Sequence, residues 1–498
     1  MKTPILMPAE VDGKKPEATM KALRSRFHGL LIPLSLLLCA SWSNASKPAE
    51  PTPHLKSAKP LNVLFICVDD LRPKEEWMPS PNLDQLASRA LVFDRHYAAV
   101  PTCSSSRACM LSGRVTPGTL AGRFNEIDDA SPAGRSLPGL FRHAGYTTVC
   151  LGKISHVPGG RNEKGHPELK NAWDRLSTSP GPWADSRGRC GDNLLHAYAE
   201  GVNRSQLKTN KQPAQLCSFP EKGLLPDQLL AQDACRELAL LKQEDKPFFL
   251  AVGFYKPHLP FVAHASDLAA IPASIPEAPA ALEPPPAQVI PSTEIRQYQP
   301  PPGHQNDFSG TDGARNRQMI RRAYAACVHA SDARIGELLA ELKRLGLAES
   351  TIVVIWGDHG WQLGELGLVG KHALTEAALR SSLMIAMPGA PAARSQRLIS
   401  SLDLRPTLAE LCSLPNEGPC DGRSFADLWG RRGSSPRVAV FSWWKNEVSI
   451  RTAEHRLLLD VERRPYAYDL KSHPAETPAA RLQDPKLISE LSRLISAP

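Results

Sequence analysis

Four apolar runs, at residues 61–68, 147–151, 247–254 and 351–356, constrain this chain more than anything else in it. Each is short and apolar at nearly every position, and stretches with helical periodicity, such as 229–243 and 320–345, lie between them. A strand that is apolar on both faces belongs inside a parallel sheet with helices covering each side. The pattern predicts an α/β domain with a mainly parallel sheet flanked by helices. Chain direction adds a functional consequence, because parallel strands end on one edge of the sheet and ligands bind outside those ends. Polar side chains follow every run: Asp69 and Asp70 the first, Lys153 and His156 the second, Lys256 and His258 the third, Asp358 and His359 the fourth. Taken singly, each has an ordinary explanation as a solvated turn, a satisfied histidine or a lysine facing water. Brought to one edge, the carboxylates with a histidine suit a divalent cation, and the lysines and histidines suit an anionic ester. Ligands this rich in carboxylate argue against a structural zinc site.

The rest of the chain divides around this core. Ser80 and Pro81 mark a helix start, with Leu83, Leu86, Ala87, Ala90 and Leu91 at helical spacing. Residues 268–303 are dense in Pro and Ala without periodicity, which predicts a long surface loop bordering the site. Beyond about residue 415 the pattern changes, with antiparallel strands expected at 438–444 and 448–461 and a terminal helix at 485–495. The expected organisation is a leader over 1–45, a linker over 46–60, a catalytic domain over 61–415 and a smaller C-terminal α+β subdomain over 416–498.

Lys21, Arg24 and Arg26 precede an apolar run at 30–40, and the small-residue site Ser43-Asn44-Ala45 follows, which is the pattern of a secretory signal. Pro33 and Ser35 interrupt that run, and it falls short of the roughly 18–20 apolar residues that span a bilayer. A cleaved signal and a secreted or periplasmic protein are therefore expected, with no stable membrane span. Leu37-Leu38-Cys39 hints at a lipoprotein site, but bulky Leu38 stands where a small residue belongs. The net charge of +8 tolerates an anionic substrate. No basic run interleaved with aromatics points to nucleic acid. Export makes pairing among the 11 cysteines reasonable, with Cys412–Cys420 and Cys190–Cys217 as candidates.

A fifth element is Cys103-Ser104-Ser105-Ser106-Arg107, continued by Ala108-Cys109-Met110-Leu111-Ser112-Gly113-Arg114. Gly113 can end a helix that starts near Ser104, which sets Cys103 at the helix N-terminus, where free N–H groups and the dipole favour an anion. On these residues alone Cys103 is either a structural cysteine or a thiol nucleophile activated by the helix end.

These residues resemble the sulfatase family, whose signature Cys-x-Pro/Ala-Ser-Arg, followed by Leu-x-Ser/Thr-Gly-Arg, is matched by Cys103, Ser106, Arg107, Leu111, Ser112, Gly113 and Arg114. Ser105 departs from it, standing where the family carries Pro or Ala. Val68-Asp69-Asp70-Leu71-Arg72-Pro73, Lys256-Pro257-His258 and Gly357-Asp358-His359-Gly360-Trp361 are similar to blocks of the iduronate-2-sulfatase branch, and the likeness covers about residues 62–415. Lys371 falls where the family places a substrate-binding lysine, in a tract, 366–373, that otherwise differs from that branch.

The resemblance implies an alkaline-phosphatase-like fold and a hydrolase acting on a sulfated carbohydrate, with a uronate 2-sulfate as the substrate that the branch suggests. It implies a formylglycine-generating or other sulfatase-maturing enzyme as partner, which oxidises Cys103 to formylglycine, whose hydrate attacks sulfur. One calcium ion would be held by Asp69, Asp70, Cys103, Asp358 and His359. Arg107 would orient the hydrate and Lys153 the sulfate; His258, assisted by Lys371, would protonate the leaving alcohol, and His156 would deprotonate the remaining hydroxyl to expel sulfate. Two rivals stand beside it. A phosphodiesterase or phosphonate monoester hydrolase of the same superfamily would be told apart by rates on sulfate and phosphate esters. A non-catalytic relative that binds sulfated glycan has little use for the full Lys, His and Asp complement.

Overall fold

The computed structural model describes residues 60–127, 135–160, 166–177, 180–184, 194–278, 293–308, 313–415, 418–474, 476 and 480–494. The expected leader and most of the linker lie outside these residues. The strands of the main sheet are, in chain order, β1 (Asn62–Val68), β2 (Leu91–Phe93), β3 (Thr147–Gly152), β4 (Arg175–Ser177), β5 (Phe248–Phe254), β6 (Thr351–Gly357), β7 (Leu383–Ala386) and β8 (Ala393–Ser395). Their order across the sheet is β8-β2-β7-β6-β1-β5-β3-β4. The four apolar runs are the neighbours β6, β1, β5 and β3, all parallel, as the burial of both their faces requires. Register then fixes where they end: Val68 pairs with Phe254 and with Gly357, and Gly152 pairs with Gly253. The polar residues after each strand therefore emerge together.

Alternate residues of β1 enter two different cores, as a strand's period of two demands. Leu64, Ile66 and Val68 pack beneath α1 (Pro81–Ala87), while Val63, Phe65 and Cys67 face α2 (Cys103–Ser112). The first core is completed by α3 (Pro226–Gln243) and α4 (Ala314–Arg344), the second by α5 (Leu404–Leu411). Each such side chain, fully buried, contributes roughly 1.5–3 kcal/mol of transfer free energy.

The C-terminal strands β9 (Val440–Trp444), β10 (Glu447–Arg451), β11 (His455–Leu459), β12 (Pro465–Asp469) and β13 (Arg481–Leu482) form a separate antiparallel sheet in that order. One face packs on α6 (Pro485–Arg493) through Leu487, Ile488 and Leu491. From the other, Val440 and Leu458 meet Tyr97, Leu374, Leu379 and Leu398 of the main body. This subdomain thus reaches the segment that carries Lys371.

Four expectations need correction. Ala90 and Leu91 do not continue α1, which stops at Ala87; Leu91 opens β2, whose Leu91 and Val92 pair with β7. The run at 448–461 is two strands, β10 and β11, because the chain turns back at Thr452 to His455. The tract at 268–303 is not all surface loop: Ile271, Ile275, Ala278, Ile295 and Tyr298 are buried, while 279–292 lies outside the described residues. Cys412 and Cys420 are free thiols rather than a bridge, since Cys412 packs by Tyr146 and Cys420 lies 3.5 Å from the Gly113 carbonyl. Cys217 is also free, its Sγ 3.7 Å from Met319 Sδ, and Cys190 is outside the described residues. Among the described residues no helix is long and apolar enough to cross a membrane.

Candidate active site

Two strand ends are laced together by one carboxylate. Asp358 Oδ1 accepts from the backbone N–H of Asp70 at 2.9 Å and from that of His359 at 3.1 Å. Asp70 sits at φ 61°, a left-handed conformation that a short polar residue tolerates better than most. Tyr324 of α4 holds it there, its hydroxyl donating to the Asp70 carbonyl at 2.8 Å and accepting from Arg72 N at 3.0 Å. At the end of β3, the absence of a side chain on Gly253 lets Lys153 approach; a Cβ there would lie 2.0 Å from the Lys153 carbonyl oxygen. Lys153 Nζ reaches Asp69 Oδ2 at 2.6 Å.

Cys103 is the first residue of α2, which ends at Gly113 with φ 66° as the sequence predicts. Its Sγ lies 3.1 Å from Lys371 Nζ, 3.3 Å from His359 Nε2 and 3.7 Å from Asp70 Oδ1. One helical turn on, Arg107 is wholly buried and fixes both carboxylates, Nη2 to Asp69 Oδ1 at 2.8 Å and Nε to Asp358 Oδ2 at 3.0 Å. Burial raises the cost of ionising Asp69, but Lys153 and Arg107 hold its carboxyl well below the usual range. For Cys103 burial dominates, with Asp69, and pushes the thiol well above its ordinary value despite Lys153 and Lys371. A neutral, buried thiol is a poor nucleophile, which argues against direct thiol chemistry.

The donor set fits a divalent cation. His359 Nδ1 lies 2.9 Å from the Gly360 carbonyl, so it carries the proton and Nε2 presents a lone pair. That lone pair faces Asp70 Oδ1 at 3.4 Å and Asp358 Oδ2 at 3.8 Å, an arrangement of acceptors that a cation between them would relieve. Ligand atoms of Asp70, Cys103, Asp358 and His359 all lie within 4.8 Å of one another, as do those of Asp69, Asp70, Cys103 and His258. Hard oxygens with one imidazole suit a calcium-like ion.

The remaining predicted residues divide. His258 donates from Nδ1 to the Leu259 carbonyl at 2.7 Å and turns Nε2 into the pocket. Lys371 lies 3.0 Å from Asp70 Oδ1 with its ammonium 5.3 Å from the Trp361 ring centre. Among the described residues His156 makes no bond to this group and its buried Nδ1 has no hydrogen-bond partner; burial first, then Lys153 and Arg107, pull the imidazole down to about 3. At neutral pH the ring is therefore uncharged. Lys256 is not part of the site, because its Nζ turns back to the carbonyls of His258 at 2.9 Å and Pro260 at 2.7 Å. Sequence reasoning missed Glu294, whose carboxylate touches both His258 and Lys371. The only local signal was Ile295 and Tyr298 spaced three apart, a single apolar turn inside a Pro-rich tract.

This fold and this edge define an α/β protein whose sheet end gathers carboxylates, lysines and histidines suited to a cation and an anionic ester. Residues 61–414 match the model of the family named Sulfatase, and the chain belongs to that family; it is a sulfuric ester hydrolase. It is similar to iduronate 2-sulfatase of Mus musculus, 31% identical over 415 residues that cover 73% of this chain and 71% of that one. Its fold is that of a protein solved with its substrate D-glucosamine-2-N,6-O-disulfate, with TM-score 0.65, 20% identity, and 88% of this chain and 97% of that chain covered. A phosphonate monoester hydrolase from Silicibacter pomeroyi shares the fold too, with TM-score 0.61, 23% identity, and 88% and 94% covered.

Proposed function

We propose that this chain is an exported sulfatase that removes sulfate from a sulfated carbohydrate, with position 103 matured to formylglycine and a calcium ion beside it. The observation that carries this reading is Cys103 at the N-terminus of α2, with its Sγ 3.1 Å from Lys371 and 3.3 Å from His359. Asp69, Asp70, Asp358 and His359 would hold the ion, together with residue 103. When bound, a divalent cation supplies charge neutralisation for sulfate oxygens and for the attacking oxygen. Formylglycine supplies, as its hydrate, an oxygen nucleophile that the buried thiol does not offer.

The chain's own residues then divide the work. Arg107 keeps the first turn of α2 aligned with Asp69 and Asp358, so the reacting position is fixed before substrate arrives. Lys153 meets sulfate oxygens. His258, with Lys371 beside it, gives a proton from Nε2 to the leaving alcohol, and neutral His156 takes one from the remaining hydroxyl so that sulfate departs. Likeness to iduronate 2-sulfatase supports a 2-sulfated uronate as the sugar; activity on such substrates should exceed that on aryl sulfates.

Peptide mass spectrometry of the protein from its native host should show formylglycine at position 103, and Cys103→Ala should abolish sulfate release with the melting temperature unchanged. Normal turnover by folded Cys103→Ala protein would sink the mechanism. The fold shared with a phosphonate monoester hydrolase gives the second reading, and a higher rate on phosphonate or phosphate esters than on sulfate esters would favour it.

A further inference from the structure

Glu294 faces the pocket, yet nothing in the hydrolysis described above uses it. It opens a short 3-10 helix, Glu294–Gln297. Its Oε1 lies 3.1 Å from His258 Nε2 and its Oε2 3.5 Å from Lys371 Nζ, with the side chain 14% exposed. Burial opposes ionisation, but Lys371 and His258 hold the carboxyl well below the usual carboxylate range, so it is an anion.

The carboxylate is also held in place. Ile295 and Tyr298 beside it are buried, and the Tyr298 hydroxyl lies 2.9 Å from His196 Nδ1. Asn306 Nδ2 donates to the Tyr298 carbonyl at 2.8 Å, and Gln299 exchanges backbone bonds with Ala214 and Leu216, both at 2.8 Å. On the far side of the His258 ring, Nδ1 is fixed to Leu259 O at 2.7 Å. A stationary negative charge therefore lies against the Lys371 ammonium and the His258 ring, the two groups that the proposed mechanism turns to the leaving alcohol.

We propose that Glu294 is a specificity-determining residue that ranks ligands of this pocket by charge, disfavouring dianionic inorganic sulfate relative to the monoanionic sulfate ester and so promoting product release. The inference rests on the proposed function, in which His258 and Lys371 meet the ester at its leaving oxygen. Two anions cannot share those groups without repulsion, and repulsion from a fixed charge grows with the charge of the incoming group. A sulfate ester carries one negative charge on its sulfate group, whereas the released product carries two. Glu294 thus opposes the product about twice as strongly as it opposes the substrate at equal distance.

The test is calorimetric titration of the full chain in a Cys103→Ala background with equal cation loading, using inorganic sulfate and methyl sulfate as probes. Glu294→Gln should tighten sulfate binding on the order of tenfold, and methyl sulfate by a distinctly smaller factor. Unchanged or weaker sulfate binding, or an equal gain for both probes, overturns the proposal. Glu294→Ala, which asks for no buried amide partner, gives the same comparison if the glutamine variant does not fold, with thermal melting as the check. His258→Ala and Lys371→Ala separate the two levels. If neither weakens sulfate binding, the ester position is wrong and the inference falls with it; if both do while Glu294→Gln changes nothing, the role of Glu294 alone is refuted.

Discussion

Ser105 stands in the first turn of α2, where its Oγ donates to the Leu120 carbonyl at 2.8 Å. On the proposed maturation to formylglycine, a maturing enzyme would read Cys103 in an extended chain before this helix forms, and serine lacks the φ restriction by which proline keeps a segment extended. Proline is nevertheless compatible with the folded helix, because first-turn N–H groups have no intrahelical acceptor to lose. Ser105→Pro should therefore give up one side-chain hydrogen bond, about 1 kcal/mol, and raise the fraction of chains carrying formylglycine in a host adapted to proline-containing sites. Peptide mass spectrometry reads that fraction, and activity per converted molecule should stay constant. Complete conversion of the unaltered chain in that host would refute the idea. His96 makes a different residue-scale prediction. Its ring is buried between Ser381 and Ser401, and burial pulls it from 6.5 down to about 4. Above pH 6.5 the ring is neutral folded or unfolded and contributes no pH dependence. Between pH 6.5 and 4 the unfolded chain binds a proton that the folded chain refuses, so stability falls with pH, by up to roughly 3 kcal/mol, and the effect levels off below pH 4. Urea midpoints across this range should fall less steeply for His96→Gln than for the unaltered protein; parallel curves would show that His96 does not titrate this way.

At the scale of the element, the strand ends are where sequence and structure agree most closely, and Gly253 shows why the agreement is sensitive to detail. A Cβ on Gly253 would meet Lys153 backbone atoms at 2.0, 2.3 and 2.7 Å, so the ends of β3 and β5 would have to part. Gly253→Ala should cost about 1–3 kcal/mol or more and move Lys153 off Asp69, lowering sulfate affinity. Gly346→Ala is the control: with φ 67° and nothing within 4 Å, it should carry only left-handed strain of about 1–2 kcal/mol and leave sulfate affinity alone. Equal sulfate affinities in the two variants would contradict this account. Asp69, Asp70, Lys153, Asp358 and His359 were legible because each directly follows a strand that only a parallel sheet could bury. Lys256 follows such a strand too, and failed, because the chain just beyond it turns and leaves carbonyls of His258 and Pro260 that its ammonium satisfies. Glu294 was invisible for the opposite reason, arriving from a tract with no periodicity and acquiring its role from partners on two other elements.

Across the whole molecule, the C-terminal sheet is joined to the catalytic body by buried charge as well as by apolar contact. Arg456 of β11 pairs with Glu376 and, at 2.6 Å, with Glu476, and donates to the carbonyl of Leu374 at 2.9 Å and to Ser449 Oγ at 2.8 Å. Glu376 also accepts from Tyr97 at 2.6 Å and from Arg451 at 3.1 Å; burial opposes its ionisation, but Arg456 and Arg451 bring its carboxyl down to about 2. Arg456→Leu would take a buried cationic partner from both Glu376 and Glu476 and should cost about 3–5 kcal/mol. Hydrogen exchange should report loosening in both β11 and the segment from Lys371 to Glu376, with activity falling alongside; exchange confined to the C-terminal sheet would show that the network does not couple the two parts. The sequence by itself determined the parallel sheet, its charged edge and the helix that begins at Cys103, because apolar runs, the residues that follow them and the left-handed stop at Gly113 are local properties of the chain. Only the tertiary structure decided that Lys256 turns away, that Glu294 faces His258 and Lys371, and that Arg456 ties the C-terminal sheet to the catalytic body. Buried charges choose partners by proximity in space and by the cost of leaving any one of them unpaired, and neither is written in the order of neighbouring residues.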